Sequence, residues 1–361
     1  MTATVTLPIP NSWYAVAYSS ELKPGMVLSR KLAGDDIVVF RAKSGRACVM
    51  DAFCPHLGAH LGVGGTVVDE TIRCPFHAFR FDTDGVCVAT GYGTKPPPAA
   101  RARILPMREM NGIVFAWYDS RDAAPTWEPP QLDTHDWTPL IYRVLDMHDH
   151  PQETVENGVD IGHFGAVHGY SEVAMRKDLV MDGPVFHVAY AARRPMPLLG
   201  WAGVKVDFDF HLDIHGLGFS LVTVGVKQFG IQVRLFITAT PTVAERVNFG
   251  LALSLRHIES KRNVHPLAVL APRSLLETII AQSIHRALIH DVYQDKPIWE
   301  AKRHVHPPAL AEGDGPVGKF RTWVKQFYYE DELPVEYRTG QRAQRIVGAP
   351  TVSFPESASA D

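Results

Sequence analysis

The sequence predicts an α+β protein of two domains, an all-β domain followed by a domain in which an antiparallel sheet packs with helices. Three observations support this prediction. The length of 361 residues corresponds to about two domains. Short β-branched runs separated by turn residues fill the first third of the chain. Nearer the C-terminal end, an apolar stripe of helical period runs from residue 273 to about residue 304.

The first domain is predicted from a series of short strands. The apolar runs 37–40 and 47–50 flank a Ser-Gly turn, a pattern that indicates a β-hairpin. Similar runs recur as far as 113–117, each bounded by Gly or Asp. Short strands at this spacing are typical of a compact barrel or sandwich.

A proline-rich stretch separates the two predicted domains. Residues 125–130 read PTWEPP, which favours a linker over a strand or helix. We therefore predict a first domain at 12–122 and a second at 131–330. The remaining segment, 331–361, is polar, and we expect it to be a partly disordered tail.

The second domain combines both kinds of periodicity. Alternating apolar residues indicate strands, and apolar residues three or four apart indicate helices. In order, the predicted elements are a helical stretch at 153–168, strands at 206–226, 231–240 and 247–255, a long helix at 273–304 and a last helix at 320–329.

Composition excludes several classes of protein. Hydrophobic residues make up 46% and charged residues 21% of the chain, as in globular proteins. The net charge of −3 lacks the basic excess typical of nucleic-acid binding. No stretch approaches the roughly 18 apolar residues of a membrane span, and the N-terminus does not resemble a secretory signal. We expect a cytoplasmic protein that neither spans a membrane nor binds nucleic acid.

Two short segments combine cysteine with histidine. Cys54 and His56 form a C-x-H pair, and after 17 residues Cys74 and His77 form a C-x-x-H pair. Two thiolates and two imidazoles suit either zinc or a [2Fe-2S] cluster. Zinc sites usually pair Cys with Cys and His with His. Here each segment supplies one of each, which favours a cluster with two histidines on one iron.

A second group of candidate ligands lies in the helical stretch. Asp160 and His163 are three residues apart and therefore neighbours on one helix face. His168 follows five residues after His163, so the two imidazoles converge only if the helix is distorted or ends between them. Gly165 permits such a break. Two histidines and one carboxylate with open positions form the facial triad of Fe(II) oxygenases.

The first group resembles the ligand set of the Rieske domain in Rieske-type non-haem iron oxygenases. The resemblance implies that Cys54 and Cys74 bind one iron of a single [2Fe-2S] cluster and that His56 and His77 bind the other. One departure is Ala78-Phe79, where relatives commonly have Gly-Trp, and we expect it to affect partner docking more than chemistry.

The helical stretch resembles the same family through its N-x-x-D-x-x-H-x4-H pattern. The resemblance implies that His163 and His168 bind one mononuclear Fe(II). Asp160 would bridge the two metal sites through hydrogen bonds to His163 and to a cluster histidine, and Asn157 would lie near the iron. The third ligand is then a distant carboxylate. Asp295 is preferred because it begins a D-x-x-I-W sequence, and Asp291 is the alternative.

The resemblance also implies an architecture and an assembly. The catalytic domain would be a helix-grip fold, and the chain would form a head-to-tail homotrimer in which the cluster of one subunit serves the iron of its neighbour. No G-x-G-x-x-G follows a predicted strand, so we expect no bound NAD(P)H or flavin. Electrons would come from a separate NAD(P)H-dependent reductase, directly or through a ferredoxin.

Motifs around the metal sites resemble bacterial ketosteroid 9α-hydroxylase oxygenases and animal cholesterol 7-desaturases. The resemblance implies a terminal oxygenase that uses O2 to hydroxylate or desaturate a bulky lipophilic, steroid-like substrate. The alternative is the same machinery acting on an aromatic or alkaloid-like metabolite by hydroxylation, demethylation or N-oxidation. A non-catalytic electron carrier would need only the first domain, and the second histidine motif argues against it.

Overall fold

Three small antiparallel sheets build the first domain. The computed structural model describes residues 6–195 and 205–339. The sheets have the strand orders β1-β10-β9, β2-β3-β4 and β5-β6-β7-β8, with the last five residues of β3 all buried. The strands are β1 Ser12–Tyr18, β2 Val27–Leu32, β3 Asp35–Arg41, β4 Ala47–Asp51, β5 Thr66–Val68, β6 Thr71–Arg73, β7 Arg80–Asp82, β8 Cys87–Ala89, β9 Met107–Met110 and β10 Ile113–Tyr118.

One seven-stranded antiparallel sheet forms the centre of the second domain. Its order is β11-β17-β16-β15-β14-β13-β12, so six strands follow one another as a meander and β11 joins beside the last. The strands predicted at 206–226 form a hairpin. The seven strands are β11 Ile141–Met147, β12 Ser171–Asp182, β13 Val185–Pro195, β14 Lys205–His215, β15 Phe219–Val226, β16 Ile231–Val243 and β17 Arg246–Leu255.

Helices pack on one face of this sheet. The longest, α4, continues through Pro297, and side chains along its inner stripe contact the main apolar core of the domain. None of the described helices has the length and apolar character needed to cross a membrane. The helices are α1 Pro151–Glu156, α2 Ile161–Ala166, α3 Lys261–Val264, α4 Arg273–Ala301, α5 Val317–Trp323 and α6 Val335–Thr339, with 3-10 turns at Lys227–Phe229, Pro266–Leu270 and Val324–Phe327.

An aromatic seam joins the two domains. Phe115 of β10 meets Phe219 of β15 with their ring centroids 5.3 Å apart, and Trp13 and Phe236 belong to the same buried cluster. Strand β1 therefore packs on the outer face of the large sheet. An all-β domain joined to an antiparallel sheet with helices confirms the predicted α+β class, and α4 lies against the sheet as a helix-grip fold requires.

Two predicted elements differ from the structure. The predicted helical stretch 153–168 is two helices. Helix α1 ends at Glu156, and Asp160 starts α2 as its N-cap. The predicted tail begins as part of the core, since Leu333 and Tyr337 are buried in the main apolar cluster. The rest of that tail, 340–361, lies outside the described residues.

Two candidate metal centres and an apolar cavity

The two cysteine segments fold into loops of the same kind. The backbone N–H of Cys54 donates to the carbonyl oxygen of Ala59 at 2.8 Å, and that of Cys74 donates to the carbonyl of Phe79 at 2.8 Å. Each of these bonds closes a loop of six residues that begins with the cysteine. Both thiols are buried, with only 2% of each cysteine exposed.

The two loop histidines lie beside each other near the surface. The ring centroids of His56 and His77 are 4.9 Å apart. Phe79 stacks flat on His56, with centroids 4.1 Å apart and planes 11° apart. Nδ1 of His77 is buried and has no hydrogen-bond partner. A buried ring nitrogen without a partner is costly unless it binds a ligand or water.

The four side chains fit a [2Fe-2S] cluster held by two cysteines and two histidines. Burial, and to a lesser degree the neighbouring Cys74, raises the pKa of the Cys54 thiol to about 11. A coordinating metal deprotonates such a thiol outright, so bound iron would supply the charge that ionises it. Nδ1 of His77, which has no hydrogen-bond partner, is then free to bind an iron of the cluster.

The second centre is assembled around the break between α1 and α2. The Asp160 carboxylate accepts hydrogen bonds from the backbone N–H groups of Gly162 at 3.1 Å and His163 at 3.3 Å, as an N-cap does. Helix α2 ends at Ala166, which lets His168 turn back toward His163. The two ring centroids are 5.2 Å apart. The helix therefore ends where the spacing of the two histidines required a break.

Asp295 of α4 completes the group. Its Oδ1 lies 3.2 Å from Nε2 of His168, and donor atoms of His163, His168 and Asp295 all lie within 4.8 Å of one another. The aspartate is buried, as are most of the atoms of the His168 side chain. Two imidazoles and one carboxylate in this arrangement suit Fe(II) with open coordination positions.

The alternative carboxylate, Asp291, is already paired. It forms two hydrogen bonds with the Arg194 guanidinium, at 2.7 and 2.8 Å. Arg194 in turn lies over the ring of Tyr170, 5.0 Å from its centroid. The hydrogen bonds to Asp291 raise the pKa of Arg194 above its ordinary value. The geometry therefore favours Asp295 as the donor beside the two histidines.

Polar neighbours orient both histidines. Asn157 donates from Nδ2 to Nε2 of His163 at 3.2 Å, and the indole of Trp299 donates to Asn157 Oδ1 at 3.4 Å. Gln294 accepts from Nδ1 of His168 at 3.1 Å. Sequence analysis did not anticipate a role for Gln294 or Trp299. Trp299 lies four residues after Asp295, on the same helix face, whereas nothing in the sequence singles out Gln294.

Asp160 differs from its predicted geometry. Its carboxylate caps α2 and does not reach the ring of His163, and Nδ1 of that ring instead contacts the main-chain carbonyl oxygen of Asp160. The N-cap position explains the difference, because backbone N–H groups at a helix start attract the carboxylate. A bridge from Asp160 to a cluster histidine of another subunit stays a prediction.

The two histidines differ in their tendency to protonate. Burial lowers the pKa of His163 below its ordinary value. Burial also opposes protonation of His168, but hydrogen bonds with Asp295 and Gln294 outweigh it and raise the pKa. Without a metal, Asp295 therefore favours the protonated form of His168. A bound cation would take the place of that proton between the two side chains.

An apolar cavity of about 170 Å³ opens onto the three donors. The hydroxyl of Tyr190 is a buried polar group in its wall and has no hydrogen-bond partner. Apolar walls with few polar groups are typical of small-molecule sites. The apolar lining residues are Val155, Phe164, Phe210, Leu212, Val222, Leu235, Ile237, Phe249, Leu251, Leu288, Val292 and Trp299.

Two family models match this chain. The Rieske [2Fe-2S] domain matches residues 12–99, and the 3-ketosteroid 9alpha-hydroxylase C-terminal domain matches residues 116–328. A cholesterol 7-desaturase of Bombyx mori is 31% identical over 336 residues, covering 90% of this chain and 71% of the relative. A probable 3-ketosteroid-9-alpha-monooxygenase, oxygenase component, of Rhodococcus rhodochrous is 28% identical over 339 residues, covering 89% and 80%.

Solved structures share the fold across both domains. Pseudomonas putida CBB5 NdmA with caffeine has a TM-score of 0.66 and 18% identity, and the alignment covers 94% of this chain and 97% of that chain. Dicamba monooxygenase bound to dicamba has a TM-score of 0.62 and 18% identity, covering 90% and 98%. With one family model over more than half of its length and a relative at 31% identity, the chain belongs to the Rieske oxygenases that carry the 3-ketosteroid 9alpha-hydroxylase C-terminal domain.

Proposed function

We propose that this chain is the terminal oxygenase component of a multicomponent system. It would use O2 and electrons from a separate reductase to hydroxylate or desaturate a bulky lipophilic, steroid-like substrate. The observation that carries the proposal is the apolar cavity that opens directly onto His163, His168 and Asp295. The named relatives support the substrate class, because one is a cholesterol desaturase and another a 3-ketosteroid monooxygenase component.

The proposal assigns one mononuclear Fe(II) to His163, His168 and Asp295, and one [2Fe-2S] cluster to Cys54, His56, Cys74 and His77. When bound, the cluster supplies single electrons and the ferrous iron supplies the chemistry of O2. The protein's own side chains hold the substrate and exclude water. The main-chain carbonyl oxygen of Asp160 holds the ring of His163 at Nδ1. Nε2 is then the atom that would bind the iron, which would replace the hydrogen bond from Asn157.

The cavity wall provides both apolar contact and one polar anchor. Rings such as Phe164, Phe210 and Phe249 line it, and burying apolar ligand surface against them favours a lipophilic substrate. The unpartnered hydroxyl of Tyr190 would hydrogen-bond a ketone or hydroxyl oxygen and so select the orientation of the substrate.

A second candidate substrate class is favoured by the size of the cavity. Its volume of about 170 Å³ is below the roughly 300 Å³ at which pockets for drug-sized ligands begin. A steroid therefore requires the cavity to widen on binding, whereas a smaller aromatic or alkaloid-like metabolite fits with less change. Hydroxylation, demethylation or N-oxidation of such a metabolite is the alternative function.

The proposal includes partners for the cluster loops. Large apolar side chains surround the cluster donors and are exposed, namely Phe53, Leu57, Phe76 and Tyr92. Exposed apolar patches of this kind mark protein interaction sites. We assign this surface to the electron-donating partner and to the neighbouring subunit of a head-to-tail homotrimer, which would bring Asp160 of that neighbour to the cluster. A reducing cytoplasm would preserve the thiolate donors.

The test is electron paramagnetic resonance of the anaerobically reduced, iron-loaded protein with nitric oxide as a probe of the ferrous site. We expect a signal that a steroid ketone changes and that a methylated purine does not. The reverse pattern would favour the alternative substrate class. A protein that keeps its cluster signal but gives no nitric oxide signal would contradict the assignment of iron to His163, His168 and Asp295.

A further inference from the structure

The segment that leads into α4 presents large apolar side chains to solvent. Leu270 is 82% exposed and Leu267 is 67% exposed. Val269, Leu275 and Ile279 are also exposed. We refer to these five residues as the Leu267–Ile279 surface. Apolar residues clustered in this way usually mark a contact with a partner or a membrane.

The loop that carries the first three residues is closed by internal hydrogen bonds. The ammonium group of Lys261 donates to the carbonyl oxygens of Val269 at 2.8 Å and Ala271 at 2.7 Å. His265 Nδ1 accepts from the backbone N–H of Leu267 at 3.2 Å. These bonds hold a 3-10 turn whose leucines point away from the domain, so their exposure is a feature of the fold.

The surface continues along the outer face of α4. Leu275, Ile279 and Arg286 are spaced four and seven residues apart, which places them on one stripe of the helix. The adjacent stripe, with Leu276 and Ile280, is about 100° away round the helix and packs against the core. The helix therefore has two neighbouring apolar stripes in its first two turns, and the domain covers only one of them.

Basic residues border this surface, and the exposed acidic residue just before them in the chain, Glu259, lies beside Arg256. Residues 260–290 contain four basic residues and one acidic residue, a net charge of +3 in a chain whose net charge is −3. The single acid, Glu277, is buried and accepts from the backbone N–H of Ile258. Within the described chain, the guanidinium groups of Arg262, Arg273 and Arg286 form no ion pair or hydrogen bond.

We propose that the Leu267–Ile279 surface docks on an anionic lipid membrane. Leucines that insert among the acyl chains, bordered by arginines at the level of the headgroups, are the features of a protein that lies on a membrane without spanning it. A twofold contact with a second copy is a poorer match, because it would bring the same basic border against itself. A head-to-tail contact with a second copy is an outcome that the measurement of oligomeric mass below detects.

Docking through this surface would leave the second centre accessible. Leu275 and Asp295 are 20 residues apart along α4, or about 30 Å at 1.5 Å per residue. The membrane would contact one end of the helix while the cavity and its donors lie toward the other. This inference does not depend on the identity of the substrate, since lipid binding is measured without turnover.

The experiment is sedimentation of the metal-loaded full chain with sucrose-filled vesicles of phosphatidylcholine, with and without 30% phosphatidylglycerol. We expect at least about tenfold stronger binding to the anionic vesicles, weakening as salt is raised. Leu270→Asp should reduce this binding at least about tenfold. The matched control Leu310→Asp, at another exposed leucine, should not change it. The triple variant Arg262→Glu, Arg273→Glu, Arg286→Glu should remove the preference for anionic vesicles.

Three results would overturn the proposal. The first is no binding of the unmodified chain to anionic vesicles at low salt. The second is equal loss of binding in the Leu270 and Leu310 variants. The third is a change of oligomeric mass in Leu270→Asp, measured by light scattering, with vesicle binding unaffected, which would assign the surface to a contact between subunits. Nitric oxide resonance of the same preparations tests the iron site separately.

Discussion

The cluster loops and the second centre hold their donors in different ways. All four candidate cluster donors lie within residues 54–77, on two loops that are closed by short-range backbone hydrogen bonds. The donors of the second centre span residues 163–295 and meet only because α2 and α4 pack on the same sheet. The first centre is therefore encoded locally, and the second depends on contacts between distant parts of the chain.

Buried charge supports the second centre and is not found beside the cluster loops in the described structure. All six residues of α1 are buried. Glu156 accepts two hydrogen bonds from Arg321, both at 2.6 Å, and Glu153 pairs with Lys302 and His304. Although burial opposes ionisation, these partners hold the pKa of Glu153 below its usual range. Asn157 follows directly as the C-cap of α1, so these pairs position it.

The largest expected effect separates the two centres completely. Asp295→Asn removes one charged donor at nearly constant size. We expect iron binding at the second centre to weaken by more than the roughly 10- to 100-fold typical of indirect partners, while the cluster spectrum is retained. The measurement is anaerobic iron titration of the purified variant.

Asp291→Asn is the matched control for that change. It lies one turn earlier on the same helix, and its carboxylate pairs with Arg194. We expect it to retain iron. Loss of iron in Asp291→Asn, with iron retained in Asp295→Asn, would transfer the ligand role to Asp291.

The next effect tests the buried charge beneath α1. Arg321→Met leaves Glu156 buried and unpaired, which should lower the free energy of unfolding by about 3–5 kcal/mol. Adding Glu156→Leu should restore most of it, because the uncompensated charge is then gone. Urea unfolding measures both variants. The control is Lys31→Met, which breaks an exposed pair with Asp36 and should lower the free energy of unfolding by no more than about 1 kcal/mol. An equally small decrease in Arg321→Met would contradict the expected effect of a buried, unpaired Glu156.

A pH dependence follows from Asp149, two residues before α1. Burial raises the pKa of Asp149 from 3.8 to about 7, so the folded state keeps a proton that the unfolded state releases. This contribution to stability is fully present below pH 3.8 and is lost as the pH rises through about 7. Stability of Asp149→Asn relative to the unmodified chain should therefore improve across that window, by up to about 1.4 kcal/mol per pH unit.

The check is urea unfolding of both proteins at several pH values between 4 and 8. Asp182→Asn, at an exposed aspartate that has no ion pair in the described structure, is the control and should give a difference that does not vary with pH. A flat difference for Asp149→Asn as well would mean that the carboxyl is ionised in the folded protein.

A smaller effect is expected in the cavity. Tyr190→Phe removes only the unpartnered hydroxyl. We expect about five- to tenfold weaker binding of a steroid ketone, the usual contribution of one hydrogen bond, and no change for the same ring system without the oxygen. Equal losses for both ligands, measured by titration of the reduced protein, would indicate a change in shape instead of a lost hydrogen bond.

The smallest effect concerns Ala78 in the second cluster loop. Ala78 has φ of +54°, in the left-handed region that costs an L-residue about 1–2 kcal/mol. Ala78→Gly removes that strain, although glycine adds freedom to the unfolded chain. We expect a net gain of about 0.5–1 kcal/mol in the thermal unfolding of the cluster-loaded protein. Ala47→Gly, in the buried strand β4, should lower stability by a similar amount.

Features that depend on local spacing could be predicted from the amino-acid sequence. The C-x-H and C-x-x-H pairs, the two helical histidines and the long apolar stripe of α4 are all readable over a few turns of chain, because backbone geometry sets which neighbours share a face. The same spacing required a break between His163 and His168, and α2 ends there. The α+β class followed from the same periodicities.

Tertiary structure alone decided which distant groups meet. Asp291 and Asp295 are equivalent by helical spacing, and only the position of Arg194 on β13 separates a paired carboxylate from one beside the histidines. The burial of Tyr337 and the unpartnered hydroxyl of Tyr190 are likewise invisible in sequence. These outcomes depend on packing between segments far apart in the chain, and local spacing carries no information about which side chain reaches which partner.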